Sequence, residues 1–265
     1  MSDRTPPPAA TGEPVVCDED GGLSLAFDNG TLQSRMLHAA PAQLVLEYTR
    51  LMMGFLLLHP APARIAMIGL GGGSLAKYCG RALPAADFTA IEISPPVIAL
   101  RATFGIPPDG PRFRVLCADG ADFVRRDGAP FDVLLVDGFD RTGQPDRLCS
   151  AAFYDDCRAR LTSSGVLVVN LHTDDPDCDR HVESIRTAFG GRIVAIKADG
   201  SDNKVVFASP ADPFPPPFPQ LVAHLRSLAA AHPVDLDATL KKILQSREPQ
   251  RPGRRRTRPP SGRRQ

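Results

Sequence analysis

The sequence predicts an α/β fold, with a mainly parallel β-sheet covered by helices on both faces and a small β-hairpin region in front of it. Three observations carry this expectation. From residue 64 onward, strand-like and helix-like segments alternate regularly, the pattern that builds a parallel sheet through crossover helices. An apolar run, Ile65-Ala-Met-Ile68, then breaks into the glycine-rich turn Gly69-Leu70-Gly71-Gly72-Gly73 before a helix-compatible segment, Ser74–Cys79. Such a turn lets backbone approach a ligand where a Cβ would collide, and it aims the free N–H groups of a helix start at that ligand. The third observation is an acid on the next strand-like run: Glu92 follows Gly69 by 23 positions. Turn, helix, second strand and terminal carboxylate make the adenosine-binding half of a Rossmann-like sheet, the carboxylate taking ribose hydroxyls. A nucleoside cofactor is therefore expected against Gly69, Gly71, Gly72, Gly73 and Glu92.

Taken in order, residues 1–14 are polar and proline-rich, lack the apolar core of a signal peptide, and are expected to be disordered. Residues 15–62 form a small β region and a connecting helix. Extended runs at Val15–Cys17, Leu23–Phe27 and Thr31–Leu37 flank the Asp28-Asn29-Gly30 turn, and Asn-Gly between such runs signals a hairpin. Pro41 opens a helical run from Ala42 to Leu58, with Leu44, Val45, Tyr48, Leu51, Met52 and Phe55 at helical spacing, closed by Pro60 and Pro62. Residues 63–209 form the nucleoside-binding catalytic domain. Strands are expected at 64–68, 87–92, 113–117, 131–136, 165–171, 192–196 and 204–208, and helices at 74–81, 95–103, 120–126, 151–161 and 178–189. This order fits the seven-stranded sheet of nucleoside-dependent transferases, whose last strand commonly runs antiparallel. A proline-rich connector and two short helices at 220–231 and 235–245 occupy 210–245, and a basic tail expected to be disordered occupies 246–265.

Composition narrows the function classes. A chain of 265 residues with 43% hydrophobic content buries one good core. The net charge of +1 hides eight arginines against one glutamate from Arg247 onward, so the body is acidic. Such a tail suits nonspecific contact with nucleic acid, but charge alone specifies no nucleic-acid partner. The longest apolar run, Leu51–Leu58, is too short to span a bilayer, so no membrane association is expected. The six cysteines make no Cys-x-x-Cys pair, which suits reduced thiols in a cytoplasmic protein, and neither they nor the six histidines form a spaced metal-ligand set. No metal is expected.

Ligands of open α/β sheets bind at the carboxyl ends of the strands. Four acids fall there: Glu92, Asp119 with Gly120, Asp137, and Asp140 three residues later. Any one of them could merely cap a helix or close a turn. Together, behind a glycine-rich loop, they describe an acidic pocket suited to a cation. Asp137 and Asp140 could hold an ammonium group, and one could take its proton so that nitrogen attacks.

The run Gly69-Leu-Gly-Gly-Gly-Ser-Leu-Ala, with Ile91-Glu-Ile, Ala118-Asp-Gly-Ala-Asp-Phe, Phe131-Asp-Val-Leu-Leu-Val-Asp137 and Ser150–Leu167, resembles the spermidine synthase (polyamine aminopropyltransferase) family over roughly residues 20–208. The chain looks like a divergent member on an S-adenosylmethionine-dependent transferase fold. The resemblance implies transfer of an aminopropyl group from decarboxylated S-adenosylmethionine to a small-molecule amine in polyamine biosynthesis, with a homodimer as a common assembly. Glu92 would hold the ribose, and Asp119 and Gly120 would border the adenine. Asp137 would serve the attacking amine and Asp140 would help hold it. Gln33 and Tyr48 would line the aminopropyl and acceptor side.

Three positions depart from the family pattern. Ser74 stands where an Asp meets the donor's ammonium, Arg141 follows Asp140 where a proline is usual, and Thr49 replaces a His or Gln beside Tyr48. Ser74 and Arg141 leave room for the intact donor, S-adenosylmethionine, with Arg141 pairing a carboxylate. The alternatives are thus an S-adenosylmethionine-dependent methyltransferase and a non-catalytic nucleoside-binding protein. A dehydrogenase is disfavoured because the loop lacks the third glycine spacing of Gly-x-Gly-x-x-Gly.

Overall fold

The computed structural model describes residues 13–27, 30, 32–229 and 232–246. The expectations for 1–14 and for the basic tail therefore fall almost wholly outside the described residues, as do positions 28, 29 and 31 of the Asn-Gly turn. Strands β1 (Pro14–Glu19), β2 (Gly22–Phe27) and β3 (Leu32–Leu37) form an antiparallel sheet in chain order. Asp20 and Gly21 both take positive φ, which makes the tight β1–β2 turn. Leu23 pairs with Met36 and Leu25 with Ser34, and all four are buried on one face of this sheet.

After α1 (Glu47–Met52) and α2 (Phe55–Leu58), the chain enters the large sheet: β4 (Arg64–Ile68), α3 (Ser74–Ala82), β5 (Asp87–Glu92), α4 (Pro95–Ala99), β6 (Phe113–Cys117), α5 (Gly120–Arg125), β7 (Phe131–Val136), α6 (Ala151–Ala159), β8 (Leu161–His172), α7 (Cys178–Ala188), β9 (Ile193–Lys197) and β10 (Asn203–Ala208). Helices α8 (Phe218–Leu228) and α9 (Leu236–Gln245) follow. The seven strands lie in the order β6-β5-β4-β7-β8-β10-β9, and the last in sequence, β10, is antiparallel to both neighbours. The central strands are buried on both faces, so their sequences read as continuous apolar runs. Ile65 and Met67 point into the layer beneath α1, α2, α3, α8 and α9, and Ala66 and Ile68 into the layer with α5, α6 and α7.

Two local expectations are corrected. The helix expected from Ala42 to Leu58 starts only at Glu47 and is broken at Gly54. The Arg50 guanidinium donates to the Leu44 and Val45 carbonyls at 2.9 and 2.6 Å, holding the entry segment out of the helix. At Gly54 an added Cβ would lie 2.6 Å from Thr239 on α9 and 3.1 Å from Phe207 on β10, so the chain is packed too tightly there for an ordinary side chain. Strand β8 begins four residues before the expected 165. A register shift between Phe131 and Val133 accommodates this longer strand beside β7, with Gly165 packed close to the Phe131 carbonyl.

Candidate active site

The chain runs outward from β4 through β5 to β6, then returns to place β7 on the other side of β4. This reversal leaves a crevice at the carboxyl ends of β4 and β7. A cavity of about 520 Å³ opens there, walled on its far side by Leu25, Phe27, Leu32, Gln33 and Ser34 of the small sheet.

Gly69 follows β4 at φ +90°, and a Cβ on it would sit 2.2 Å from the Asp137 carbonyl oxygen. Only glycine lets the two strand ends lie this close, and the Asp137 N–H donates to the Ile68 carbonyl at 2.9 Å. Gly71, at φ +50°, borders the cavity with no atom nearer to its missing Cβ than Ser34 at 3.8 Å. Gly72 and Gly73 do not line the cavity. They pack against Ser34 and Phe104 and against Ile106, respectively.

Glu92 is buried at the end of β5. One of its oxygens accepts the Leu70 N–H and the other the Ser94 N–H, each at 2.9 Å. Desolvation raises its pKa, and these backbone N–H groups oppose the rise. Glu92 thus fixes the glycine loop from below while facing the cavity. Asp119 caps α5: its Oδ1 accepts from the Ala121 and Asp122 N–H groups at 2.8 and 3.0 Å, and its Oδ2 lies 3.0 Å from the Arg147 guanidinium. Gly120 beside it borders the cavity, and a Cβ there would strike Ile68 at 2.4 Å.

Asp137 stands at the centre of the site. Its Oδ2 accepts from the Tyr48 hydroxyl at 3.3 Å and its Oδ1 from the Asn170 amide at 2.9 Å. The Asn203 amide in turn donates to Asn170 Oδ1 at 3.0 Å. Enclosure by these walls pushes the Asp137 pKa up, against the opposing pull of Asn170, Tyr48 and His172. The Tyr48 hydroxyl is held well above its ordinary range by burial and by the adjacent carboxylate. Asp140 uses Oδ1 to accept from the Thr142 backbone and hydroxyl at 2.7 and 2.6 Å, fixing a turn at the cavity rim. Ser74 opens α3, and its hydroxyl lies 3.2 Å from that of Ser34.

The cavity therefore brings together Gly69, Gly71, Glu92, Asp119, Gly120, Asp137, Asp140, Gln33, Tyr48 and Ser74. Arg141 is exposed and does not line it; the arginine that does is Arg147. Sequence reasoning also passed over Ser34, Asn170, His172 and Asn203, which line the same space. Asn170 had a signal, being the one amide within the apolar run Val166–Leu171 at the carboxyl end of a strand. Among the described residues no group of three His, Cys, Asp or Glu is placed to hold a metal ion. No described helix is long and apolar enough to cross a membrane.

Fold and site define the class: a Rossmann-like transferase, with the sheet order of S-adenosylmethionine-dependent enzymes and a small antiparallel sheet over the site. No family model matches the chain. A polyamine aminopropyltransferase of Neisseria meningitidis serogroup A is 37% identical over 243 residues, covering 90% of this chain and 92% of that protein. Another, from Chromobacterium violaceum, is 40% identical over 204 residues, 76% of this chain and 78% of that one. The chain belongs to the polyamine aminopropyltransferase (spermidine synthase) family.

Solved structures agree on the fold. A spermidine synthase in complex with the transition-state analogue AdoDATO superposes with a TM-score of 0.69 at 21% identity, covering 85% of this chain and 79% of that one. A probable spermidine synthase from Corynebacterium glutamicum gives 0.67 at 20% identity, with coverage of 89% and 93%. Human methyltransferase-like protein 13 in complex with SAH gives 0.63 at 22%, with coverage of 74% and 93%.

Proposed function

We propose that this enzyme transfers an aminopropyl group from decarboxylated S-adenosylmethionine to a small amine in polyamine biosynthesis, leaving methylthioadenosine. The observation that carries the reading is Asp137, a carboxylate held by Tyr48 and Asn170 in the wall of a cavity also lined by Gly69, Gly71 and Glu92. In this reading Gly69 and Gly71 let the donor approach the backbone, and Glu92 accepts from the ribose hydroxyls. Asp119 has one oxygen committed to capping α5, so Oδ2 is the one that meets the adenine, beside Gly120. Ser74, Ser34 and Gln33 surround the aminopropyl tail, so hydroxyls replace an ion pair there. Gly72 and Gly73 act at one remove, shaping the loop.

The acceptor enters as an ammonium ion attracted by Asp137 and Asp140. Asp137 takes one proton, and its raised pKa brings it closer to that of the amine than an ordinary carboxylate would be. The nitrogen lone pair then attacks the carbon next to the sulfonium. The C–N bond forms, the C–S bond breaks, and its electron pair goes to sulfur, giving a neutral thioether. The leaving group is already good, so alignment supplies most of the rate, with effective molarities on the order of 10⁵ M or more for well-oriented pairs. The six unpaired cysteines, four of them buried, suit a reducing compartment, and we place the enzyme in the cytoplasm.

Methyl transfer from intact S-adenosylmethionine is the second reading, favoured by the hydroxyl of Ser74 at the donor-tail position. Arg141, exposed and off the cavity, adds nothing to it. Calorimetric titration with decarboxylated S-adenosylmethionine, S-adenosylmethionine and methylthioadenosine separates the two. The proposal expects the decarboxylated donor to bind more tightly than the intact one. The reverse order would transfer the assignment to the second reading, and no binding by any of the three would remove both.

A further inference from the structure

Asn170 and Asn203 are more than lining. Asn170 is 1% exposed and Asn203 9%, and they sit on adjacent antiparallel strands, with Asn203 opposite His172 and Val205 opposite Asn170. Neither side chain caps a helix or closes a turn. Asn170 is flanked by Val168, Val169 and Leu171, all buried, where an apolar residue would satisfy the sheet without two amides to pair. Their hydrogen bonds form one directed chain that ends on the central carboxylate: Asn203 Nδ2 to Asn170 Oδ1 at 3.0 Å, then Asn170 Nδ2 to Asp137 Oδ1 at 2.9 Å.

A primary amide turned by half a rotation exchanges its donor and acceptor ends with almost no change of shape. Packing alone therefore does not decide which end of Asn170 faces Asp137. The wrong end sets a carbonyl dipole against a carboxylate. The Asp137 carboxylate, an acceptor only, selects the donor end of Asn170, and the amide of Asn203 adds to that preference by donating to the Asn170 oxygen on the other side.

We propose that Asn203 is a positioning residue of the transfer reaction: it locks the Asn170 amide so that Asp137 always receives a hydrogen-bond donor on Oδ1. The proposal rests on the assignment of Asp137 as the carboxylate that serves the amine. Asn203 thereby favours the charged form of Asp137 and orients its plane, without touching either substrate's reacting atoms.

The other titratable or charged groups lining the cavity with Asp137 are Glu47 and Tyr48 on α1, Glu92 at the end of β5, Asp119 at the start of α5, Asp140 and Arg147 after β7, and His172 on β8. On β10 the neighbouring Lys204 is engaged with Asp179 at 3.0 Å. None of them fixes the orientation of Asn170, so that property can be tested apart from the general electrostatics of the site.

The test is a double-mutant cycle with Asn203→Leu and Asn170→Leu, reading kcat, the acid limb of its pH profile and methylthioadenosine affinity. Asn203→Leu keeps the branched shape, at a somewhat larger volume, and removes the donor. The expected result is a fall in kcat of about ten-fold and an acid limb moved to higher pH, with methylthioadenosine affinity within about two-fold of the parent. In the Asn170→Leu background, Asn203→Leu should change kcat no further. An unchanged kcat and acid limb in Asn203→Leu would overturn the proposal, as would an equal loss in both backgrounds.

A second measurement works without turnover. The ratio of affinities for cationic S-adenosylmethionine and neutral methylthioadenosine follows the summed charge of the cavity, and the part of it that Asn203→Leu changes is that of Asp137, the carboxylate on its hydrogen-bond chain. Its pH midpoint should rise in Asn203→Leu, and a fixed midpoint would overturn the proposal. If the parent protein binds nucleoside but yields no product with any amine, the transfer reading fails while this measurement still decides the role of Asn203.

Discussion

Replacing Gly69 with alanine perturbs the point where the glycine loop meets the catalytic strand. The new Cβ would lie 2.2 Å from the Asp137 carbonyl oxygen, 2.8 Å from its carbon and 3.2 Å from the Gly138 Cα. All three atoms are backbone, so no side chain can swing away to relieve the contact. The φ of +90° adds a second penalty, about 1–2 kcal/mol for a residue with a Cβ. Relieving the overlap by moving backbone adds about 1–3 kcal/mol. The sum, about 2–5 kcal/mol, is a large fraction of the roughly 5–15 kcal/mol that holds a typical fold together. Because the strand end that must move carries Asp137, a displacement near 1 Å should also lower kcat/KM by about 100-fold.

Denaturant unfolding with an unchanged slope, alongside calorimetric titration with methylthioadenosine, measures both effects. Gly71→Ala is the control. Its Cβ would meet nothing closer than 3.8 Å, so only the conformational penalty applies, about 1 kcal/mol. A Gly69→Ala protein within about 0.5 kcal/mol of the parent and binding nucleoside normally would refute the close-approach argument.

Three other outcomes follow from the same geometry. Lys77 is buried, its ammonium donating to the Phe104 carbonyl at 2.7 Å, and burial pushes its pKa from 10.5 down to about 8. Between those values the unfolded chain holds a proton that the folded one has released, so stability rises with pH across that window. Lys77→Met should stabilise by about 1–2 kcal/mol at pH 7, allowing for partial solvent access, and the gain should shrink toward pH 10 in paired denaturation curves. Ser74→Asp would place a carboxylate at the first turn of α3 and at the donor tail. Affinity for decarboxylated S-adenosylmethionine should rise about ten-fold while that for methylthioadenosine stays level. Arg147→Met frees the Asp119 oxygen from a half-exposed ion pair, which should tighten methylthioadenosine binding by about two-fold at low salt and by less at high salt.

Most of the sheet was legible because strands buried on both faces must be apolar throughout, and glycines and prolines punctuate them. The helix from Ala42 was not. Its periodicity is real, but Arg50 binds the very carbonyls that a longer helix would use, and the crowding at Gly54 comes from residues far along the chain. The carboxylates at the strand ends were legible for a topological reason, since each lies at the carboxyl end of a strand of the parallel sheet or within four residues of it. Which arginine faces the cavity was not. Arg141 and Arg147 lie on one irregular segment, whose path depends on the Asp140–Gly143 turn and the short 3-10 turn at Asp146–Leu148. Asn203 was invisible because its importance comes from an antiparallel pairing that sets it beside Asn170.

The central claim, aminopropyl transfer assisted by Asp137, is tested most directly by product analysis. The protein is mixed with decarboxylated S-adenosylmethionine and a small diamine, and products are followed by mass spectrometry in the parent and in Asp137→Asn. The account predicts methylthioadenosine and an acceptor heavier by one aminopropyl unit, formed one-to-one. Asp137→Asn should keep methylthioadenosine affinity and lose turnover by about 100-fold or more. Methylated acceptor in place of aminopropylated acceptor, or full turnover in Asp137→Asn, would contradict it.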